Sequence, residues 1–176
     1  MTSATRTVVI VALAVLAATP AAQAQHSAMP PGMTHEQHMA QMKTDGQRAM
    51  GFDQDTTTHH FLLAADGGSI AVDVNAADDQ VGRNQIRTHL KEITVAFKQG
   101  DFGKPLMTHN EQPPGVTVLQ RLKENLSYTY AETARGAIVR IQTINPEALS
   151  AVHAFLTYQI REHATGDPLT VQGAQP

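Results

Sequence analysis

Hydrophobic and polar residues alternate with the two-residue period of a β-strand in two consecutive stretches near the middle of the chain. These stretches, residues 59–65 and 69–75, flank Asp66-Gly67-Gly68, which is a typical hairpin turn. The period then changes to that of a helix, and a stripe of apolar residues indicates a helix that ends at Gln99 before Gly100. The stripe consists of Ile86, Leu90, Ile93 and Phe97. The pattern therefore predicts a hairpin followed by a long helix.

The same order of patterns returns in the second half. Residues 126–134 and 136–144 are predicted strands around Arg135-Gly136. Asn145-Pro146 is a typical helix start, and the helix that follows bears the apolar stripe Leu149, Val152, Leu156 and Ile160. Between the halves, a loop rich in Gly and Pro at residues 100–115 precedes a short predicted helix over residues 116–124.

These patterns predict an α+β fold built from duplicated ββα units. Both hairpins are expected to join one antiparallel sheet, because a lone hairpin is only marginally stable in water. The two long helices are expected to cover one face of that sheet, with the short helix as a connection.

The N-terminal residues have the pattern of a secretory signal. Arg6 precedes a short apolar run, and Ala22-Gln23-Ala24 fits a cleavage site before Gln25, although an uncleaved anchor is the alternative. We therefore expect a signal peptide at residues 1–24, a periplasmic or secreted location, and no membrane attachment after cleavage. The expected units are then a flexible Met/His-rich segment at 25–50, one domain at 51–170 and a tail at 171–176. Thr34 and Gln37 have capping-box spacing, which allows a short helix over residues 35–42.

Charge and cysteine content narrow the chemistry. The chain has 13 basic and 16 acidic residues, without basic runs, so nucleic acid is not an expected partner. It contains no cysteine, which excludes disulfides and thiolate chemistry. Histidine is unusually frequent, with nine residues, beside seven methionines.

The segment before the domain concentrates these residues. His35, His38, Met39 and Met42 are spaced to share one helical face, and His26, Met29 and Met33 precede them. Thioether sulfur suits Cu(I), whereas imidazole accepts Cu(II) or Zn(II), so the mixture predicts a copper-binding segment. An ordinary low-complexity linker is the alternative.

Six further histidines lie in the predicted domain: His59, His60, His89, His109, His153 and His163. His89, His153 and His163 fall at or near the buried faces of their helices, while His59 and His60 point to opposite sides of one strand. Two or three of them, counting either His59 or His60, are predicted to converge in one cleft and there to bind a metal or transfer protons; the alternative is a set of separate histidines bonded to backbone carbonyls. For His163, the dipole at a helix C-terminus would also favour the charged form.

Two resemblances add to these predictions. The leader HSAMPPGMTHEQHMAQM resembles the metal-capturing segments of periplasmic copper-resistance proteins, which implies copper handling. The stretches GFDQDTTTHHF, IRTHL, GDFGKP and VHAFLTYQIREHATGD are similar to those of a group of small secreted bacterial proteins with no assigned activity.

The leading functional prediction is a periplasmic protein that binds a metal ion, expected to be copper, through its Met/His-rich leader, with a histidine cluster in the domain as a further candidate site. The candidate ligands are the thirteen Met and His residues named above. The alternative is a small-molecule-binding module or histidine-dependent enzyme with a cleft between the helices and loop 100–115. In that case His89 and His153 should approach each other. A homodimer formed through an exposed sheet edge is a third alternative.

Overall fold

The structure is a computed structural model, and it describes residues 32–173. The predicted signal peptide, His26 and Met29 lie outside these residues. The elements are the helices α1 (His35–Met50), α2 (Gln80–Gln99), α3 (Gly103–His109), α4 (Val116–Arg121) and α5 (Pro146–Glu162), and the strands β1 (Thr57–Ala64), β2 (Gly67–Val74), β3 (Ser127–Glu132) and β4 (Gly136–Gln142).

The four strands form one antiparallel sheet in the order β1-β2-β4-β3. Phe61 pairs with Ile70, and Ile70 pairs with Val139, so one face of the sheet is apolar across three strands. The helices α2 and α5 pack on this face, as the α+β prediction required. The strand order is compatible with two ββα units, whose duplication stays a prediction.

The long helices follow their predicted patterns closely. All four residues of the predicted stripe of α2 are buried, and Gly100 ends the helix with a φ of 81°, where a side chain would be strained. Asn145 caps α5 by accepting hydrogen bonds from the backbone N–H groups of Glu147 and Ala148. Local sequence signals therefore determine where both helices begin or end.

The region before the domain differs from its prediction. Thr34 and Gln37 form the predicted capping box, but α1 continues to Met50 rather than ending near residue 42. Gly46 and Ala49 are buried, and α1 packs against α3. A helix this long is stabilised by packing rather than by its own propensity, which the sequence pattern does not reveal.

The predicted loop 100–115 contains a helix, α3, which has no side-chain N-cap and includes Pro105 near its start. At the other end of the chain, Gln172 donates a backbone hydrogen bond to the carbonyl of Leu63 and so pairs with the edge of β1. Within residues 32–173, no helix is long and apolar enough to cross a membrane.

Candidate functional site: a histidine-lined cavity

A cavity of about 60 Å³ lies between the inner face of the sheet and the helices α2, α3 and α5. Four imidazoles and the Gln159 amide line it, and most of its remaining wall is hydrocarbon. The lining histidines are His59, His89, His109 and His163. Four of the six predicted domain histidines therefore meet in one place, although they come from four different elements.

The strand β1 separates two neighbouring histidines. His59 pairs with Val72 and points toward the core, whereas His60 points to the opposite face. There the Nδ1 of His60 lies 2.9 Å from Oδ1 of Asp167, and its side chain is 49% exposed. The prediction that the two side chains point apart is confirmed, and only His59 lines the cavity.

Three helices bring the other imidazoles to His59. His89 lies on α2 and is only 7% exposed, His109 is the last residue of α3 and is 6% exposed, and His163 follows the end of α5. His109 donates a hydrogen bond from Nε2 to Oε1 of Gln159 at 3.1 Å. The helix α3 was not predicted, although the segment that contains it, residues 100–115, was expected to border a cleft beside the long helices.

The rings pack in a continuous series. The centroids of His59 and His163 are 5.5 Å apart with nearly parallel planes, and those of His109 and His163 are 5.2 Å apart. Phe52 contacts both His59 and His89, with centroid distances of 5.7 and 5.6 Å. The imidazoles thus behave in part as aromatic core side chains.

Burial keeps three of these imidazoles, those of His59, His89 and His163, neutral at ordinary pH. It lowers the pKa of His59 to about 4, with a further contribution from His60. Burial also lowers the pKa of His163 to about 3, helped by His59 and His109. For His89 the pKa falls to about 3, through burial first and then the positive charge of Lys104. At His163, burial therefore outweighs the helix dipole, so the expectation of a favoured charged form is wrong.

Several polar atoms in this cavity have no hydrogen-bond partner among the residues that the structure describes. They are Nε2 of His59, Nδ1 of His89 and Nε2 of Gln159. Leaving a buried polar atom unpaired costs roughly 1–3 kcal/mol. Such atoms, gathered in one cavity, are the strongest indication of a bound group.

His153 lies elsewhere. Its Nε2 donates to the carbonyls of Ala64 and Gly67, at 2.9 and 3.0 Å, at the far end of the β1–β2 hairpin. Ten residues separate it from His163, which is about 15 Å along a helix. The expected approach of His153 to His89 is therefore not found, because His89 lines the cavity at the opposite end of β1.

The leader residues are only partly described. Met33 is half-buried and precedes α1, and positions 35, 38, 39 and 42 lie in α1. Among residues 32–173, no three His, Asp or Glu side chains stand ready to hold a metal ion. Any metal bound in the cavity would therefore require the imidazoles to rotate.

The sequence prediction of the site did not include Gln159 or Met50, both of which line the cavity. Gln159 lies on the buried face of α5, one turn beyond Phe155, and a polar residue on such a face was a signal that could have been used. Met50 follows Met42 at helical spacing, and it would have been included had α1 been extended to its true end.

Comparison with known proteins returned no matching family model, no matching curated protein and no matching solved structure, so the geometry of the cavity alone bears on the function.

Proposed function

We propose that the protein binds copper ions and holds one of them in the cavity lined by His59, His89, His109 and His163. The observation that carries the proposal is the convergence of four imidazoles on one buried cavity that has unpartnered ring nitrogens. Imidazole nitrogen is a good ligand for copper, and the absence of cysteine leaves no competing thiolate in the chain.

The spacing of the rings supports a shared ion. A ligating nitrogen lies about 2.0 Å from such a metal, which places the ring centre about 3.2 Å from it. Two rings at a tetrahedral angle then have centres about 5.2 Å apart. The centroid distances of 5.2 and 5.5 Å around His163 match this value. Binding of one ion by these rings requires them to rotate about their Cβ–Cγ bonds until the nitrogens face it.

The protonation states also support metal binding. A ligating imidazole must be neutral, and protons compete with the metal for the same nitrogen. Because burial lowers the pKa values of His59, His89 and His163 to about 4, 3 and 3, no proton has to leave at neutral pH. The leader, with His26, Met29, Met33, His35, His38, Met39 and Met42, would capture copper in a periplasmic or secreted protein.

Binding of a small neutral molecule is the second candidate, since hydrocarbon forms most of the wall and one amide is unpartnered. The size of the cavity favours the ion. An engineered protein cavity of about 150 Å³ is large enough for benzene. The cavity of about 60 Å³ is less than half as large, enough for an ion with a few small ligands.

Copper titration of cavity variants tests the proposal. The double variant His59→Phe, His163→Leu should bind about one copper ion per chain fewer than the wild type. The control is His60→Ala, which removes an imidazole from the opposite face of β1 and should bind as much copper as the wild type. If the wild type and the double variant bind equal amounts of copper, the cavity is not a copper site and the leader is the remaining candidate. If the wild type binds no copper, the proposed function is refuted altogether.

A further inference from the structure

Met50 is the point at which the histidine-lined cavity meets a second space. A groove of about 350 Å³ runs between the end of α1 and the exposed side of α2. Met50, His89 and Lys104 line both the groove and the cavity. The groove's other lining residues are Arg48, Ala49, Gly51, Asn84, Gln85, Thr88 and Glu92. The groove and the cavity therefore lie against each other at these three side chains.

Lys104 lies at the boundary between the two spaces and is paired with Glu92. Its Nζ lies 3.0 Å from the carbonyl oxygen of Ala49 and 3.0 Å from Oε2 of Glu92. A charged ammonium has three N–H donors and no lone pair, so it repels a cation and cannot bind one. Among the three shared residues, only the Met50 thioether and the His89 imidazole can therefore act as metal ligands.

Resting on the proposed function, the geometry points to Met50 as the ligand by which the cavity favours Cu(I) over Zn(II). A thioether is a soft, neutral ligand that binds Cu(I) and contributes little to Zn(II), whereas imidazole serves both ions. His89 supplies the matching nitrogen, because its Nδ1 is buried and has no partner in the described chain. Sulfur and nitrogen together would discriminate between two ions that histidines alone accept.

The helix α1 leads to this boundary. At 100° per residue, Gly46 and Ala49 lie within about 30° of the centre of the face formed by positions 35, 38, 39 and 42, and Met50 within about 70°. Gly46 and Ala49 are buried against the domain. By helical spacing, these four positions thus fall on the same side of α1 as the buried Gly46 and Ala49.

Residue-specific NMR of the histidine rings tests this inference. Both Cu(I) and Zn(II) are diamagnetic, so the ring signals of His59, His89, His109 and His163 report occupancy of the cavity by either ion, separately from binding at the leader. The purified protein is titrated with each ion against a competing chelator. Met50→Leu should lower the affinity of the cavity for Cu(I) at least about tenfold, with at most about a twofold change for Zn(II).

Two further variants make the outcome decisive. Met107→Leu removes an exposed thioether from α3 and should leave both affinities unchanged. Met50→Gln, which has similar length and a hard amide oxygen, should lower the Cu(I)-to-Zn(II) ratio as Met50→Leu does. If both Met50 variants keep the wild-type affinity for Cu(I), or lose affinity equally for both ions, then Met50 is not the selective ligand, while the proposed copper binding itself still stands. Ring signals that respond to neither ion in the wild type overturn the proposed function together with it.

Discussion

His153, within α5, and His163, directly after the end of α5, have opposite surroundings. His153 donates its Nε2 proton to two backbone carbonyls of the β1–β2 hairpin. Ten residues further on, His163 is packed among the rings of His59, Phe61 and His109, and burial lowers its pKa to about 3. The first arrangement is that of a structural histidine. The second lowers stability in acid, because the buried imidazole resists protonation. Functional sites commonly retain groups of this kind, which is consistent with imidazoles that serve a ligand.

The largest predicted effect is a loss of stability in acid that originates at the cavity. His59, His89 and His163 have folded-state pKa values of about 4, 3 and 3, below the unfolded value of about 6.5. The unfolded chain therefore binds more protons, and stability is fully present above pH 6.5 and is lost as the pH falls toward 4. With three groups, the free energy of unfolding should fall by up to about 4 kcal/mol per pH unit.

Urea unfolding at several pH values between 7 and 4 measures this slope. The variant His59→Phe removes one of the three groups and should reduce the slope by about one third. A free energy of unfolding that does not change over this range would show that the cavity imidazoles are not protonated differently in the folded and unfolded states.

The next largest effect is expected at the hairpin. His153→Ala removes the donor to the carbonyls of Ala64 and Gly67 and should lower the free energy of unfolding at pH 7 by about 2 kcal/mol. Ser150→Ala, an exposed position on the same helix, is the control and should change it by less than about 0.5 kcal/mol. If His153→Ala lowers the free energy of unfolding no more than Ser150→Ala does, His153 does not have this structural role.

A smaller effect of opposite sign is expected in the cavity. His59→Phe replaces an imidazole that has an unpartnered Nε2 by an apolar ring between Phe52 and Phe61. The free energy of unfolding should rise by about 1 kcal/mol at pH 7, because no buried polar atom is left unpaired there. Thermal or urea unfolding measures it. Destabilisation by this variant would mean that the imidazole makes a contact that the phenyl ring cannot replace.

The fold was predictable because it depends on local patterns. Stripe residues such as Ile86 and Phe97, the Asn145 cap and the Gly100 stop each act within a few residues of sequence, and each was recognised. The α3 helix and the extension of α1 to Met50 were not recognised, because they depend on packing against each other rather than on their own sequence pattern.

The candidate site was predictable only in part. Strand alternation separated His59 from His60, and helical periodicity placed His89 and His163 at buried faces. Periodicity gives the face of a helix on which a residue lies, but not which neighbouring element it meets along the helix axis. His153 and His163 were therefore assigned to one candidate site, although His153 contacts the β1–β2 hairpin and His163 lines the cavity. Which element packs against a given turn of a helix depends on the tertiary structure, and local sequence patterns do not reveal it.

The smallest predicted effect is at His60, the sequence neighbour of His59. His60→Ala removes a half-exposed imidazole whose partner, Asp167, also accepts a hydrogen bond from the backbone N–H of Phe61. Exposed pairs of this kind contribute little, so the free energy of unfolding should change by no more than about 0.5 to 1 kcal/mol, and copper binding should be unchanged. His59 and His60 are adjacent and lie on opposite faces of β1. A comparison of variants at these two positions therefore shows the effect of burial on an imidazole. If His60→Ala impaired copper binding as much as His59→Phe, the inner cavity could not be the site.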